Sequence, residues 1–474
     1  MKSEAKTDLC IIGAGSGGLS LAAGAAQMGA RVVLIERGKM GGDCLNYGCV
    51  PSKALLAAGQ VAHQAQNGRD FGIRRSEATI SYRAVHTHIH DVIEGIAPHD
   101  SVERFESLGV KVVKGRAQFI NAHQVKVGNK TFNARYFVIA TGSSAAIPSI
   151  PGLADVDYMT NENIFDLTRA PRHLVIIGGG PMGVEMAQAH RRLGSDVTLI
   201  EAQRLLPNCD HELAEIIAGN LRAEGTRLIE NTLITQISRR KNQIIVHIAD
   251  GKSVRDIEAS HLLVATGRTP NIDELELDKA NIAYQPGGIK VDDRLRTSNK
   301  RIYAIGDVIG GHQLTHAAGY HAGIVLRNTL FRFPAKADET AMPHVVYADP
   351  ELAEVGMDEA TARQHYAKLR VLKWPFQEND RARAERDTKG LVKVIVTPKG
   401  RIVGAGIAGK NAGDLLAPWV LSMQQGLPIS AMAGLNAPYP TRGEASKRAA
   451  GAFYTPTLYG KWMQRLVRFI SWFG

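Results

Sequence analysis

The sequence predicts an α/β fold with two parallel-sheet domains and a third, α+β region. Two observations carry this prediction. An apolar strand, a glycine-rich turn, a helical stretch and a second apolar strand follow one another near residue 10, and the same order recurs near residue 175. From about residue 341 onward, strands such as Leu391 to Val396 alternate with helices such as Gly413 to Gln425. A chain of 474 residues has room for about three such domains.

The first glycine-rich turn has the spacing of a dinucleotide-binding loop. Gly13 permits the tight turn after the strand, and Gly15 lets backbone N–H groups approach a pyrophosphate at the helix start. Gly18 allows the helix to pack closely on the strand. The second strand ends at Glu36, whose carboxylate can accept hydrogen bonds from an adenosine ribose. Together these features predict a Rossmann unit.

The second glycine-rich turn repeats this arrangement. Gly178, Gly180 and Gly183 occupy the three glycine positions, and the following strand ends at Glu201. We therefore expect two bound dinucleotides. A carboxylate at Glu201 suits a free ribose 2′-OH and repels a 2′-phosphate, so NADH is favoured over NADPH. Arg204 is close enough in sequence to attract a 2′-phosphate, so NADPH stays open as the alternative, unless this side chain is simply solvated.

A cysteine pair, Cys44 and Cys49, lies just downstream of the first unit, and Pro51 and Lys53 are typical of a helix start. Two cysteines that can close exchange between dithiol and disulfide, and a helix start lowers the pKa of a nearby thiol. A half zinc site is one alternative, but zinc needs about four ligands and no Cys or His cluster lies nearby in sequence. A structural disulfide is disfavoured because the sequence shows no secretory signal, and such disulfides are rare in reducing compartments. We predict a redox-active pair and no metal ligands.

The remaining composition narrows the class of protein. Of the four cysteines, Cys10 is expected in the core, and Cys209, in a polar loop, is expected to be a bystander. No run of about 18 apolar residues occurs and residues 1–8 are polar, so neither a membrane span nor a signal peptide is predicted and a cytoplasmic location is expected. The net charge is +11, but no basic stripe or reader motif predicts a nucleic-acid partner.

Taken together, the two turns and the cysteine pair resemble the flavoprotein disulfide reductases, the family that contains dihydrolipoyl dehydrogenase, glutathione reductase and mercuric reductase. The resemblance runs from about Asp8 to Tyr454. Four further segments are similar to motifs of the family: its two Ala-Thr-Gly segments, where the chain crosses between domains, its second flavin motif and the start of its dimerisation domain. They are residues 138–142, 264–268, 301–307 and 347–356.

The resemblance implies FAD and NAD(P)H as cofactors and a homodimer as the assembly. It implies that Cys49 is the flavin-contacting, charge-transfer thiolate and that Cys44 is the interchange thiol that meets the acceptor. Lys53 matches the flavin-adjacent lysine. Glu185, which alone would indicate a surface helix acid, matches the carboxylate paired with it, since a single charge beside an apolar ring is costly. Further cofactor contacts implied are Gly42, Thr141, Gly142, Gly267, Gly306 and Asp307.

The resemblance also implies an interrupted domain order. An FAD-binding domain is expected over residues 1–146 and again over 275–340, with an NAD(P)-binding domain over 147–274 inserted between its halves. A dimerisation domain follows over 341–455 and a basic amphipathic tail over 456–474.

The segment 438–444 departs from the thiol-reducing members of the family. Those members have His-Pro-x-x-x-Glu, and the His of their second subunit protonates the leaving thiolate. Here Tyr439 stands at the His position and Glu444 is retained. Because the reference pKa of Tyr is near ~10 and that of His near ~6.5, Tyr is a poor general base at pH 7. Mercuric reductases are similar in having Tyr there as a metal-site residue, but they have a terminal Cys pair, and no cysteine follows Cys209 here.

The last residues, 461–474, form a basic aromatic segment. At helical spacing its apolar side chains are Trp462, Leu466, Phe469, Ile470 and Phe473, and its basic ones are Lys461, Arg465 and Arg468. Such a helix can lie in a membrane interface, and the net charge of +11 favours anionic lipid, which places the protein peripherally at the inner face of the membrane. A helix docked on the partner subunit is the alternative.

The sequence thus predicts an FAD-dependent NAD(P)H oxidoreductase that passes electrons through Cys44 and Cys49 to a metal ion, a disulfide or another small molecule. Its motifs most resemble those of mercuric reductase, except that the terminal Cys pair of that enzyme is missing here. One alternative is a disulfide reductase of the dihydrolipoyl dehydrogenase type. Another is a slow redox-sensing or membrane-docked flavoprotein.

Overall fold

The computed structural model describes residues 7–73, 79–249 and 254–473. Parallel sheets occupy the first two thirds of the chain, and an antiparallel sheet with short helices occupies the last third. The predicted α/β class with a C-terminal α+β region is confirmed. Within the described ranges, no helix is both long and apolar enough to cross a membrane.

The first domain is built on a parallel sheet with Thr7–Ile12 at its centre. Val32–Glu36 and Lys130–Ile139 flank it, both parallel to it. Ile302–Ala304 adds to the far side of Lys130–Ile139, so residues beyond 300 return to this first sheet. The sheet is completed by Lys111–Lys114, next to Val32–Glu36, and by the antiparallel strands Ala117–Asn121 and Gln124–Val127.

Two helices of this domain pack against each other in its core. Ser16–Gln27 follows the first glycine-rich turn and contacts Thr315–Thr329. Gly24 permits this contact, because a Cβ there would lie 2.8 Å from the Leu326 side chain. The other helices are Gly42–Asn46, Cys49–Gln66, Tyr82–Ile96 and Val102–Ser107.

The second domain repeats the parallel arrangement on a smaller scale. Its sheet has the order Arg227–Ile229, Asp196–Ile200, His173–Ile177 and His261–Val264. Its helices are Pro181–Arg192 and His211–Ala223, and its antiparallel strands are Leu233–Arg240, Gln243–Ala249 and Val254–Ala259. A short ladder between Ser143–Ala145 and Arg268–Pro270 joins the two segments that cross between the domains.

The third domain contains a five-stranded antiparallel sheet in the order Pro343–Val346, Glu351–Gly356, Ile402–Gly409, Leu391–Val396 and Arg370–Pro375. The predicted single helix from Gly413 to Gln425 is wrong, because two helices, Ala412–Leu415 and Ala417–Gln424, occupy this stretch. Pro418 explains the break, since its ring and missing N–H fit only a first helical turn. The remaining helices are Glu359–His365, Asp380–Ala384, Ile429–Ala433, Glu444–Gly451, Thr455–Leu458 and Lys461–Ile470.

A buried ion-pair network connects the three domains behind the cysteine-bearing helix. Arg192 is 4% exposed and lies 2.6 Å from Glu224 and 2.8 Å from Asp349 of the third domain. It also donates a hydrogen bond to Gln60, which lies on Cys49–Gln66. A buried guanidinium needs such partners on every side, so the network sets the position of this helix relative to the other domains.

Candidate active site

Cys44 and Cys49 lie on two consecutive helices. Cys44 is inside the short helix Gly42–Asn46, and Cys49 is the first residue of Cys49–Gln66. No side chain caps the N-terminus of the longer helix, and the backbone of Cys49 forms a hydrogen bond to the Cys44 sulfur. Both cysteines are free thiols, and Cys44 is hydrogen-bonded to Cys49.

The two thiols have opposite pKa shifts. The pKa of Cys49 is lowered to about 6, first by the hydrogen bond from Cys44 and then by the Thr315 hydroxyl and the charge of Lys53. The Thr315 oxygen lies 3.4 Å from the Cys49 sulfur. The pKa of Cys44 is raised, because it donates that hydrogen bond and is partly buried. These surroundings favour Cys49 as the thiolate at neutral pH.

A buried ion pair lies next to the cysteines. Lys53 Nζ, one helical turn after Cys49, lies 2.8 Å from Oε2 of Glu185, whose side chain is 4% exposed. The second carboxylate oxygen of Glu185 accepts the backbone N–H of Tyr347 at 3.0 Å, and Lys53 Nζ lies 4.2 Å from the centre of the Tyr347 ring. Glu185 is therefore a buried, paired carboxylate rather than a surface acid. The sequence analysis assigned no role to Tyr347 or Thr315.

A polar network anchors the cysteine loop to the segments that cross between domains. Asn161 donates to Asp43 Oδ1 at 2.8 Å, and Arg268 lies 3.2 Å from the other Asp43 oxygen. Arg268 also donates to Ser143 Oγ at 2.7 Å, and Ser143 donates to Asp307 at 2.5 Å. The sequence analysis missed this network because its members are more than 100 residues apart, and residue types alone gave no signal for it.

The first glycine-rich turn is shaped as a cradle for a pyrophosphate. A Cβ at Gly18 would lie 1.9 Å from the Gly13 carbonyl oxygen, so helix and strand can approach only without side chains. Gly15 caps Ser16–Gln27 without a side chain, and a Cβ there would meet only the Gly42 Cα, at 4.0 Å, so the space beside the helix start is open. Glu36 accepts the Ala14 N–H at 2.6 Å, which holds its carboxylate beside the turn. These residues fit the adenosine end of FAD.

The second turn has the same geometry. A Cβ at Gly183 would lie 1.9 Å from the Gly178 carbonyl oxygen, and nothing lies within 4 Å of a Cβ at Gly180. Glu201 accepts the Gly179 N–H at 2.6 Å, beside the position of a ribose. Arg204 donates to the carbonyl oxygens of residues 206, 207 and 209 at 3.0, 2.8 and 2.6 Å, so its guanidinium is held by its own loop and is not a solvated side chain.

The other predicted cofactor residues lie on the crossing segments and the second flavin motif. Thr141 donates to a backbone carbonyl at 2.7 Å. Gly142 and Gly267 have φ angles of +67° and +124°, which glycine adopts without strain. The Gly306 N–H donates to His321 Nδ1 at 3.1 Å, so this buried histidine positions the flavin motif. The sequence analysis missed His321.

The predicted residues Tyr439 and Glu444 make other contacts within the single chain. The Tyr439 side chain is 71% exposed and its hydroxyl donates to Asp380 at 3.1 Å. That hydrogen bond raises the pKa of Tyr439, so the phenol is protonated at neutral pH. Glu444 pairs with Arg448 at 3.0 Å. Within the single chain, the described hydrogen bonds of Cys49 and Tyr439 join each to a different partner, Thr315 and Asp380.

Comparison with known proteins places the chain in a family. Residues 7–322 match the pyridine nucleotide-disulphide oxidoreductase family, and residues 342–450 match its dimerisation domain. The chain belongs to the pyridine nucleotide-disulphide oxidoreductases. It is accordingly an NAD(P)H-dependent oxidoreductase with FAD as cofactor. The dimerisation domain of this oxidoreductase indicates a homodimer.

Its relatives include mercuric reductases and dihydrolipoyl dehydrogenases. The mercuric reductase of Bacillus cereus is 34% identical over 449 residues, which cover 94% of this chain and 71% of the relative. The dihydrolipoyl dehydrogenase of Geobacillus stearothermophilus is 35% identical over 454 residues, which cover 94% of this chain and 96% of the relative. The solved Cu(II) complex of the HOCl-induced flavoprotein disulfide reductase RclA from Escherichia coli has a TM-score of 0.85 at 30% identity, covering 95% of this chain and 100% of that one.

Proposed function

We propose that this oxidoreductase reduces a thiophilic metal ion, Hg(II) or Cu(II), at the Cys44/Cys49 pair. The observation that carries the proposal is Tyr439 at the position where thiol-reducing members have a histidine base. A phenol whose pKa is raised above its usual value is a much weaker acid than an imidazolium and accepts no proton at neutral pH, so thiol–disulfide turnover loses its acid–base group. Similarity to mercuric reductases and to a Cu(II)-binding reductase supports the same class of acceptor.

The roles of the chain's own residues follow from their surroundings. FAD, when bound, carries the electron pair of NAD(P)H to the cysteine pair. The Cys49 thiolate and the Cys44 thiol bind the ion, since soft sulfur ligands select soft metals. Hg(II) takes two electrons and leaves as Hg(0), or two Cu(II) ions take one electron each and leave as Cu(I). In both cases the S–S bond forms and the Cys44 proton is released.

Lys53 and Glu185 act as positioning residues in this proposal. Their ion pair, 2.8 Å long and nearly buried at the carboxylate, places a fixed cation close enough to Cys49 to lower its pKa. Tyr347 restricts the lysine from the other side, since its ring lies 4.2 Å from Nζ. The pair keeps Cys49 ionised while the disulfide is open.

The test is a steady-state screen of NADH oxidation with Hg(II), Cu(II), lipoamide, glutathione disulfide and quinones. Wild-type enzyme is expected to turn over with a metal ion and poorly with disulfides. Tyr439→Phe should lower metal-ion turnover while hydride transfer from NADH to the flavin is unchanged. The matched control is Tyr284→Phe, since Tyr284 is also exposed and its hydroxyl also donates to an aspartate.

A second candidate is a disulfide reductase of the dihydrolipoyl dehydrogenase type, which the retained Glu444 favours. If Tyr439 merely fills the space of the histidine, Tyr439→His should raise lipoamide or glutathione turnover, because general acid–base help is worth about a hundred- to ten-thousand-fold. Wild-type enzyme that already reduces lipoamide rapidly would contradict the metal-ion proposal. Negligible turnover with every acceptor would instead support a slow redox sensor.

We also propose that the C-terminal helix, Lys461–Ile470, lies on an anionic membrane surface. None of its residues is buried, and Trp462, Phe469 and Ile470 are 70%, 61% and 58% exposed. Among the described residues, its three basic side chains form no ion pair, and the segment 461–474 contains no acid. Exposed apolar side chains flanked by unpaired cations match the headgroup region of anionic lipid.

Co-sedimentation of the holoenzyme with phosphatidylcholine vesicles, with and without phosphatidylglycerol, tests this contact. Binding should require phosphatidylglycerol and fall about thirtyfold or more in Arg465→Glu/Arg468→Glu, since each basic residue is worth about 1 kcal/mol at such a surface. Lys399→Glu, at an exposed lysine outside the tail, is the control. No binding, with dimer dissociation in the double variant, would show that the helix packs on the partner subunit.

A further inference from the structure

A cluster of three metal-ligating side chains lies apart from the redox pair, where the second and third domains meet. Cys209 precedes the helix His211–Ala223, and His344 and Glu354 lie on neighbouring strands of the third domain. One donor atom from each residue lies within 4.8 Å of the other two. Cys209 and Glu354 are buried and His344 is half-buried. We propose that this cluster binds a divalent cation of the Zn²⁺ class.

The distances in the cluster are close to those of a zinc site. Cys209 Sγ lies 3.9 Å from His344 Nε2, and the same nitrogen lies 3.1 Å from Glu354 Oε2. Zinc bonds of about 2.3 Å to sulfur and about 2.0–2.2 Å to nitrogen or oxygen place tetrahedral ligands about 3.4–3.6 Å apart. The two observed separations differ from these values by only a few tenths of an ångström.

The arrangement is that of ligands and not of a catalytic relay. In a Cys-His-carboxylate relay, the cysteine and the carboxylate contact opposite nitrogens of the imidazole. Here both contacts involve Nε2, so the three donor atoms converge on one point. The second oxygen of Glu354 accepts the Asp210 N–H at 3.0 Å, which orients the carboxylate as an outer hydrogen bond does in metal sites.

The surroundings leave space for a cation. The Arg204 guanidinium lies near Cys209, where it donates to carbonyl groups of its own loop, including that of Cys209 at 2.6 Å. A cavity of about 360 Å³ borders His344 and Glu354, so water can complete a four-ligand shell. The cation nearest to this cavity, Lys393, is already neutralised by three carboxylates, with Asp210 at 2.8 Å, Glu359 at 2.9 Å and Glu212 at 3.1 Å. A metal ion would therefore meet no unpaired positive charge from this lysine.

Binding exchanges a proton for the metal. A cysteine binds a metal ion as the thiolate, so the Cys209 proton must leave when the ion binds. When Zn²⁺ binds, the S–H bond breaks, an S–Zn bond forms and one proton passes to solvent, with no change in oxidation state. The ion then links a loop of the second domain to two strands of the third.

This inference does not depend on the identity of the electron acceptor, and its test removes the redox pair. In holoenzyme with Cys44→Ser and Cys49→Ser, chelator-stripped and dialysed against Zn²⁺, we expect one tightly bound Zn²⁺ per chain and a higher Tm. Adding His344→Gln should weaken Zn²⁺ binding about tenfold or more, since even outer-shell changes cost about 10- to 100-fold. His365→Gln, at an exposed histidine of the same domain, is the matched control.

Cys209→Ser in the same background supplies a second, independent measurement. It should also weaken Zn²⁺ binding and should reduce the preference for Cd²⁺ over Mg²⁺, because sulfur ligation contributes to that preference. The proposal is overturned if no Zn²⁺ binds, or if stoichiometry and affinity are unchanged by both His344→Gln and Cys209→Ser. Because the variant used in this test lacks Cys44 and Cys49, neither result bears on the proposed reduction of metal ions.

Discussion

Cys44 and Cys49 are only five residues apart, yet their surroundings differ. Cys49 accepts a hydrogen bond from Cys44, contacts the Thr315 hydroxyl and lies in the field of the Lys53 charge. Cys44 is partly buried and donates its proton in the hydrogen bond to Cys49. Stabilisation of a thiolate by donors and cations is what separates a nucleophile from an inert thiol. The assignment of Cys49 as the thiolate and Cys44 as the interchange thiol can be measured directly.

We expect a long-wavelength charge-transfer band in the Cys44→Ser holoenzyme, even with oxidised flavin, because the unpaired Cys49 thiolate then lies against the ring. The band should grow as pH rises through the pKa of Cys49, since deprotonation creates the thiolate. In this variant that pKa should lie above about 6, because the Cys44 thiol, the first cause of the lowering, has been replaced. Absorbance spectra from pH 4.5 to 8.5 measure it, and Cys49→Ser should show no band. A pH-independent absence of the band in Cys44→Ser would reverse the two assignments.

We expect Glu201 and Arg204 to decide whether this oxidoreductase uses NADH or NADPH. Glu201 lies beside the second turn, and Arg204 is occupied by three carbonyl groups of its own loop, so a 2′-phosphate meets a carboxylate and no free cation. We therefore expect kcat/KM to favour NADH, and Glu201→Ala to narrow the gap by weakening NADH and admitting NADPH. A wild-type preference for NADPH of about tenfold, or about 1.4 kcal/mol, would contradict this expectation.

At the scale of elements, the two strand–turn–helix units have the same local geometry, and we expect the first to bind FAD and the second to bind NAD(P)H. In each unit, a Cβ added to the helical glycine, Gly18 or Gly183, would lie 1.9 Å from the carbonyl oxygen of the first glycine of the turn. Such an overlap forces the helix away from the strand, and overpacking of this kind costs about 1–3 kcal/mol. The same substitution in each unit should therefore remove a different dinucleotide.

Gly18→Ala should reduce FAD content on purification, whereas Gly183→Ala should retain FAD and raise the KM for NADH about tenfold or more, the equivalent of about 1.4 kcal/mol. Flavin absorbance and steady-state kinetics measure the two effects. Gly219→Ala is the control, because nothing lies within 4 Å of a Cβ on that exposed helical glycine. Loss of FAD in Gly183→Ala would show that the two units do not bind independently.

At the scale of the whole molecule, the redox pair and Tyr439 are separate within one chain. Tyr439 contacts Asp380 instead of a cysteine, and the dimerisation domain indicates a second subunit. A complete site would then contain cysteines from one subunit and a tyrosine from its partner, as a symmetric dimer allows.

Mixed dimers test this arrangement. Random pairing of Cys44→Ser chains with Tyr439→Phe chains should restore about a quarter of wild-type metal-ion turnover, because half of the dimers are mixed and each mixed dimer has one intact site. Pairing Cys44→Ser with Cys49→Ser leaves a defective cysteine pair in every site, so turnover should not recover. No recovery in the first mixture would mean that Tyr439 acts with the cysteines of its own subunit, and turnover of about half of wild type would place Tyr439 outside the site.

The residues that bind dinucleotides could be predicted because their requirements are local. A tight turn, a close helix–strand contact and a carboxylate at a strand end each depend on residues within about 30 positions, the length of one such unit. Gly13, Gly18 and Glu36 therefore lie where their spacing indicates. The helix predicted from Gly413 to Gln425 was wrong for a local reason too, since the effect of Pro418 was overlooked.

The sequence by itself determined the α/β class, the two dinucleotide units and the cysteine pair, since short-range spacing and sterics dictate them. Only the tertiary structure decided which distant groups meet. Arg268 reaches Asp43, Glu185 reaches Lys53 and Cys209 reaches His344 because domain packing brings segments more than 100 residues apart together. A polar side chain has no partner until the chain folds, so its charge state and its ligands belong to the fold and not to the local sequence.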